Sequence, residues 1–143
     1  MSDICVAYWS GTGNTEAMAQ AIGAGITAAG KSADVVPMET ISPADLKDQA
    51  VWVLGCPAMG DEVLEETEFE PMFNECKNKL SGKKIALFGS YGWGSGEWMD
   101  IWTDECKELG AILVHDSVIV NYEPSDAEEG CISLGAALAG QVN

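Results

Sequence analysis

The segment Ser10-Gly11-Thr12-Gly13-Asn14-Thr15 has the clearest chemical consequence in this chain. It follows the apolar run Ile4-Cys5-Val6-Ala7-Tyr8-Trp9 and opens a helix-like stretch that begins near Asn14. A strand that turns through glycines and hydroxyls into a helix makes an anion site. The first helical amides have no acceptor inside the helix, and the helix dipole favours negative charge at the same spot. The turn holds no Lys or Arg; the first basic residue is Lys31. A Walker-type loop needs a Lys and then a hydroxyl residue after its last Gly, where Asn14 and Thr15 stand. A dinucleotide turn needs a third Gly for close helix–strand packing, and Glu16 takes that place. A receiver domain would need acidic residues after strand one to hold Mg²⁺. What remains is a terminal monophosphate wrapped by Ser10, Thr12, Asn14 and Thr15. Taken alone, the segment also fits a plain polar turn that uses Gly for positive φ.

Two other segments could meet it. Pro57-Ala58-Met59-Gly60-Asp61-Glu62 follows the run Val51-Trp52-Val53-Leu54-Gly55-Cys56, and Ser90-Tyr91-Gly92-Trp93-Gly94-Ser95-Gly96 follows Ile85-Ala86-Leu87-Phe88-Gly89. Met59 is soft and apolar, and glycines beside it let backbone approach a ligand. Trp93, flanked by glycines in a polar loop, has no core to fill and suits stacking on an aromatic ring; the alternative is a ring folded back onto the core. Trp9 either lines the phosphate site or plugs the sheet.

The elements that position these segments alternate along the chain. Apolar runs at 3–9, 33–38, 50–56, 83–89 and 111–120 read as five strands, covered on both faces as in a parallel sheet. Pro37 makes the second the edge strand. Four helices lie between and after them. The first buries Met18, Ala21, Ile22, Gly25, Ile26 and Ala29, and the second Phe69, Met72, Phe73, Cys76 and Leu80, with Pro71 in its first turn. The third buries Trp98, Ile101, Trp102, Cys106 and Leu109 and stops at Gly110. The fourth starts at Ser125 with Glu128 completing a capping box, and buries Cys131, Leu134 and Leu138. Trp52, Trp98 and Trp102 are core residues. The pattern predicts one doubly wound α/β domain over residues 1–143. In such a sheet, ligands bind beyond the carboxyl ends of the strands. Strands one, three and four come together there, so the three segments converge.

The 143 residues are enough for one sizeable core. No apolar run is long enough to span a membrane, and the N-terminus lacks the pattern of a signal peptide, which makes the cytoplasm the expected location. Cys5, Cys56, Cys76, Cys106 and Cys131 are odd in number, without C-x-x-C spacing, and read as buried free thiols. His115 has no companion for a metal site. The net charge is -16, from 23 acidic residues against seven lysines and no arginine. That excludes nucleic acid, whose phosphates demand the opposite sign. It fits either plain solubility or steering toward a basic protein partner.

A phosphate at one end, a planar ring between Trp93 and Met59 at the other, and no adenine or nicotinamide site describe flavin mononucleotide (FMN). The segments Tyr8-Trp9-Ser10-Gly11-Thr12-Gly13-Asn14-Thr15-Glu16, Gly55-Cys56-Pro57-Ala58-Met59-Gly60-Asp61-Glu62 and Leu87-Phe88-Gly89-Ser90-Tyr91-Gly92-Trp93-Gly94 resemble the flavodoxins, specifically the short-chain group of anaerobic bacteria. Long-chain members carry an extra loop that splits strand five, whereas 111–120 runs on without interruption. The resemblance implies a flavodoxin-like sheet of order 2-1-3-4-5. It implies a cofactor site formed by Ser10, Gly11, Thr12, Gly13, Asn14, Thr15, Ala58, Met59, Gly60, Asp61, Glu62, Ser90, Tyr91, Gly92, Trp93 and Gly94. In that arrangement Ser10, Thr12, Asn14 and Thr15 bind the phosphate, and Ser90 lies near the phosphate and ribityl chain. Ala58 and Gly92 line the ribityl and flavin edge, Trp93 and Met59 flank the isoalloxazine, and Glu62 faces its N3 edge. Pro57 stands where some relatives have a hydroxyl residue, and offers neither hydroxyl nor N–H.

The implied activity is that of a low-potential one-electron carrier, not an enzyme. It binds FMN non-covalently and shuttles between semiquinone and hydroquinone in place of ferredoxin. Gly60 would let its peptide with Asp61 turn over and accept a hydrogen bond from the flavin N5–H, a bond of about 1–2 kcal/mol and so roughly 40–90 mV for one electron. Asp61, Glu62 and the absence of cations would disfavour the anionic hydroquinone. The implied partners are redox proteins with basic docking faces, reached by a monomer through Asp61, Glu62, Glu65 and Glu66. Two rivals are a small flavoenzyme, for which no nicotinamide motif is found, and a cofactor-free interaction domain.

Overall fold

The computed structural model describes residues 4–9, 13–40, 51–57, 68–91, 96–121 and 128–141. Strands β1 (Ile4–Tyr8), β2 (Ala33–Pro37), β3 (Val51–Gly55), β4 (Lys84–Tyr91), β5 (Ile112–Leu113) and β6 (Val118–Asn121) alternate with helices α1 (Asn14–Ala28), α2 (Phe69–Cys76), α3 (Glu97–Glu108) and α4 (Glu128–Ala139). Every strand pairing is parallel, in the order β2-β1-β3-β4-β5, and β6 also pairs with β4. The order 2-1-3-4-5 therefore holds. β2 is at the edge, with its Pro37 level with Tyr8.

The last strand departs from expectation. The run 111–120 is not continuous: β5 pairs with Lys84 and Ile85, and β6 starts opposite Phe88. Residues 114–117 thus lie opposite only Ala86 and Leu87, which is a bulge. The polar triplet His115-Asp116-Ser117 sits inside it, and His115 Nδ1 lies 2.8 Å from its neighbour's carbonyl at Asp116. Val114 keeps one ladder bond, from its N–H to the Ile85 carbonyl.

Side chains alternate between faces, as strand geometry requires. Cys5, Ala7, Trp52, Leu54, Ile85 and Leu87 join a core with α2 and α3, while Ile4, Val6, Tyr8, Val51, Val53, Ala86 and Phe88 join a second core with α1 and α4. Burial on both faces explains why these strands read as unbroken apolar runs. Trp52, Trp98 and Trp102 are all buried. Phe69 and Phe73 meet the Trp102 ring edge-on, at 5.4 and 5.8 Å between centroids, an arrangement that adds to simple burial. The predicted face of α2 is buried throughout.

Of the expected helical core positions, Ala21 and Leu109 are half-buried and two, Ile101 and Ala29, are exposed. Ile101 is 58% exposed, whereas Met99, absent from the expected face, is 1% exposed. At about 100° per residue, Met99 extends the Trp98–Trp102–Cys106 stripe on one side, and Ile101 falls off the other. Ala29 is exposed because α1 ends before it. On the opposite layer α1 and α4 touch through backbone. A Cβ on Gly25 would collide with the Ile132 carbonyl, and one on Gly135 with the Ile22 carbonyl.

Candidate functional site

Tyr8, Gly55 and Phe88 are level with one another across β1, β3 and β4. The segments that leave these strands therefore start from one edge. α1 begins there. Its N-cap, Gly13, has φ +97 in the left-handed region and supplies no side-chain cap. A Cβ at Gly13 would have no neighbour within 4 Å, so backbone conformation, not space, demands glycine. Thr15, in the first turn, is 1% exposed, and its Oγ1 lies 3.1 Å from Oγ of Ser90, itself 5% exposed. Two of the three predicted segments are thus joined by a buried hydroxyl pair. The Glu16 carboxylate accepts a bond from the Tyr8 hydroxyl at 3.2 Å, which ties the helix start back to β1.

The end of β3 is also held. Cys56 donates its N–H to the Phe88 carbonyl, and its own carbonyl accepts from Trp98 Nε1 at 3.3 Å. Gly89 leaves room for that carbonyl, which a Cβ would strike. The Tyr91 ring tilts against Trp98 at 5.4 Å between centroids. Trp9 donates its backbone N–H to Gly55 and its indole Nε1 to Glu68 Oε1 at 3.1 Å. Its ring packs, half-buried, against the α2–α3 core. Of its two expected placements, the one in the sheet layer fits better, with a polar tie that the sequence did not announce. Glu68 is the residue that sequence reasoning missed. The available signal was a Trp at a strand end, whose N–H needs an acceptor.

Gly13, Asn14, Thr15, Ser90 and Tyr91 are therefore placed at this edge. Ser10, Gly11, Thr12, Ala58, Met59, Gly60, Asp61, Glu62, Gly92, Trp93 and Gly94 lie outside the described residues, as do Glu65, Glu66 and Ser125.

The described lysines gather at the opposite edge: Lys31, Lys77 and Lys79 follow helix ends, Lys107 lies in the last turn of α3, and Lys83 and Lys84 enter β4. Glu16, Glu70, Glu97, Asp100, Glu128 and Glu129 occupy first helical turns, where they complement the helix dipoles. An anion at the carboxyl edge would meet amides and hydroxyls and no described lysine. The donor set there, a left-handed glycine entry to α1 with the Thr15 and Ser90 hydroxyls, fits a monophosphate.

Thiol and metal chemistry have no support among the described residues. All five cysteines are buried and free. Burial pushes Cys76 and Cys131 up to about 11, and Cys106 up to about 12. Glu75 adds to the rise at Cys76 and Glu105 to that at Cys106. These groups stay protonated thiols at neutral pH and are neither nucleophiles nor ligands. No group of three His, Cys, Asp or Glu is poised for a metal ion. A cavity of about 690 Å³ between α3 and the bulge, lined by Asp100, Thr103, Lys107 and His115 among others, stands apart from the converging strand ends. No described helix is long and apolar enough to cross a membrane.

A doubly wound parallel sheet whose carboxyl edge presents a left-handed glycine, the Thr15 and Ser90 hydroxyls and no described lysine is an architecture suited to binding a mononucleotide. Known proteins narrow the class. The flavodoxin family model matches residues 6–135. The flavodoxin of Clostridium beijerinckii is 47% identical over 134 residues, covering 94% of this chain and 97% of that one. The flavodoxin of Megasphaera elsdenii is 50% identical over 134 residues, covering 94% and 96%. The solution structure of two-electron reduced Megasphaera elsdenii flavodoxin matches with a TM-score of 0.89 at 49% identity, covering 96% of this chain and 98% of that one. The chain belongs to the flavodoxin family. It is an FMN-binding electron-transfer protein of the short-chain kind, which works with redox partners and is not an enzyme.

Proposed function

We propose that this chain is a low-potential one-electron carrier, holding FMN non-covalently and moving between its half-reduced and fully reduced forms in place of ferredoxin. The observation that carries the reading is the buried Thr15–Ser90 hydroxyl pair at the start of α1, in a region without described lysines. FMN supplies the redox chemistry; the chain binds it and sets its potentials. Ser10, Gly11, Thr12, Gly13, Asn14 and Thr15 hold the phosphate by amides and hydroxyls. Ala58, Gly92, Gly94, Ser90 and Tyr91 border the ribityl chain and ring edge. Met59 and Trp93 flank the ring. Gly60 and Asp61 supply a peptide able to turn its carbonyl toward N5, and Glu62 faces N3. With no described lysine at that edge, negative charge gained by the ring is opposed, which lowers the second potential. Residues 1–143 act as one FMN-binding domain.

The charge division supports a partner with a basic docking face, met by a monomer at the carboxyl edge, and a cytoplasmic setting is proposed. The test is an absorption spectrum taken during stepwise reduction of the FMN-loaded chain, repeated with Gly60→Ala. The expected result is two separated one-electron steps that draw together in Gly60→Ala. A single two-electron step in the wild-type chain would overturn the carrier reading, and NAD(P)H oxidation without a partner reductase would replace it with that of a flavoenzyme.

A further inference from the structure

We propose that Trp9 and Glu68 form a clasp that ties the end of β1 to both the end of β3 and the start of α2, making Trp9 a positioning residue for FMN; the cofactor role rests on the flavin site proposed above. Trp9 bonds both ends of one connection. Its backbone N–H reaches the Gly55 carbonyl at 3.0 Å, where β3 ends, and its indole N–H reaches the Glu68 carboxylate at 3.1 Å, just before α2 begins. The span between those two points contains Met59, Gly60, Asp61 and Glu62. The residue after Trp9 is Ser10, the first of the phosphate turn. One residue therefore joins the root of the phosphate turn to both feet of the flavin-facing span.

The second bond is not demanded by the fold. The backbone bond to Gly55 continues the β1–β3 ladder by one step, as any residue could. The indole bond needs Trp at position 9 and an acceptor at position 68. Glu68 is the N-cap of α2, yet its side chain makes no capping bond to that helix. The Trp9 ring lies against the α2–α3 core, so the direction of its N–H is set by packing. A bond to a carboxylate is stronger than one between neutral groups, although exposure to solvent reduces its net worth. Fixing the separation of the two feet narrows the conformations open to the span between them.

The experiment compares Trp9→Phe, which keeps a ring and deletes the N–H, with Glu68→Leu, which deletes the acceptor, and Glu68→Gln, which keeps an oxygen acceptor. FMN affinity and both one-electron potentials are measured on the full chain. Amide exchange over residues 55–68 is measured on the full chain without FMN. Trp9→Phe and Glu68→Leu should each weaken FMN binding about fivefold. Each should change the preference for half-reduced over oxidised FMN about threefold, roughly 30 mV for one electron. Exchange should quicken in both, Glu68→Gln should restore most of each effect, and the double variant Trp9→Phe/Glu68→Leu should be no worse than either single one. Wild-type potentials in FMN-loaded Trp9→Phe together with wild-type exchange in FMN-free Trp9→Phe overturn the clasp. Additive effects in the double variant overturn it too. A wild-type chain that takes up no FMN removes the flavin reading and with it the cofactor role, while quickened exchange in Trp9→Phe and Glu68→Leu still upholds the clasp itself.

Discussion

The two edges of the sheet are made from the same elements but are finished differently. At the amino edge, helix ends are closed by lysines and by contacts that serve packing. Lys77 pairs with Glu105 at 3.0 Å, Lys83 lies 5.0 Å from the centre of the Trp52 ring, and Lys84 reaches the Gln141 carbonyl. α1 ends there in a Schellman arrangement, with Gly30 at φ +89 and Lys31 bonding back to Ile26. At the carboxyl edge the helix starts carry acids, and the strand ends are tied to each other by hydroxyl, indole and carbonyl bonds. The amino edge spends its polar groups on stability. The carboxyl edge uses them to tie β1, β3 and β4 to one another and to the starts of α1 and α3. The same helix dipoles that welcome lysines at one edge make an anion site at the other.

This contrast can be broken by changes that weigh on one edge more than on the other. The largest expected effect is alkaline. Cys76 and Cys106 lie in or near the last turns of α2 and α3, and Cys131 in the first of α4. Their thiols rise from an ordinary 9.0 to about 11, 12 and 11. Above pH 9 the unfolded chain releases these protons and the folded chain keeps them. Their contribution is therefore intact below pH 9 and is lost toward pH 11, by about 1.4 kcal/mol per pH unit for each thiol. Denaturant melts between pH 8 and 10.5 should show the fall, and Cys106→Ala should show a shallower one. Flavin absorbance should persist until the chain unfolds; early loss of flavin would mean that the carboxyl edge gives way first.

A pair of glycine substitutions comes next. Gly13→Ala and Gly30→Ala each place a Cβ on left-handed backbone, at a cost of about 1–2 kcal/mol. Both should lower the unfolding midpoint of the FMN-free chain. Fluorescence titration should show FMN binding about tenfold weaker in Gly13→Ala and unchanged in Gly30→Ala. Equal losses of affinity would erase the distinction between the edges. The smallest effects are electrostatic. Glu97→Gln with Asp100→Asn should slow reduction of a basic partner about two- to fivefold at low salt, and the difference should vanish at high salt. Lys77→Gln should leave that rate alone and cost about 0.5 kcal/mol of stability, because its ion pair is partly exposed. A slower rate in Lys77→Gln would place docking at the wrong edge.

The first four strands, the edge position of β2 and the buried faces of α1, α2 and α4 were largely legible, because apolar runs and 3.6-residue stripes report directly on burial, while the full strand order came from the family resemblance. The bulge at 114–117 was not, since Ile112, Leu113, Val118 and Ile119 continue an apolar run across it. Ile101 misled because its spacing from Trp98 fits a helical stripe whose centre is in fact nearer Met99. Gly13, Asn14 and Thr15 were legible as a turn that opens a helix, from their residue types. The long-range pairing was not: the Thr15–Ser90 and Trp9–Glu68 bonds join residues far apart in the chain, and one sequence holds no measure of which distant polar groups meet.

The backbone contact between α1 and α4 bears on the proposed site. Gly25 and Gly135 bring the two helices so close that α1 cannot tilt without pushing into the Ile132 carbonyl. A helix locked in this way presents its leading amides as fixed dipoles, which need no rearrangement when charge arrives nearby. Two missing methyl groups far from the proposed site thus set how firmly the phosphate-facing end of α1 would be held.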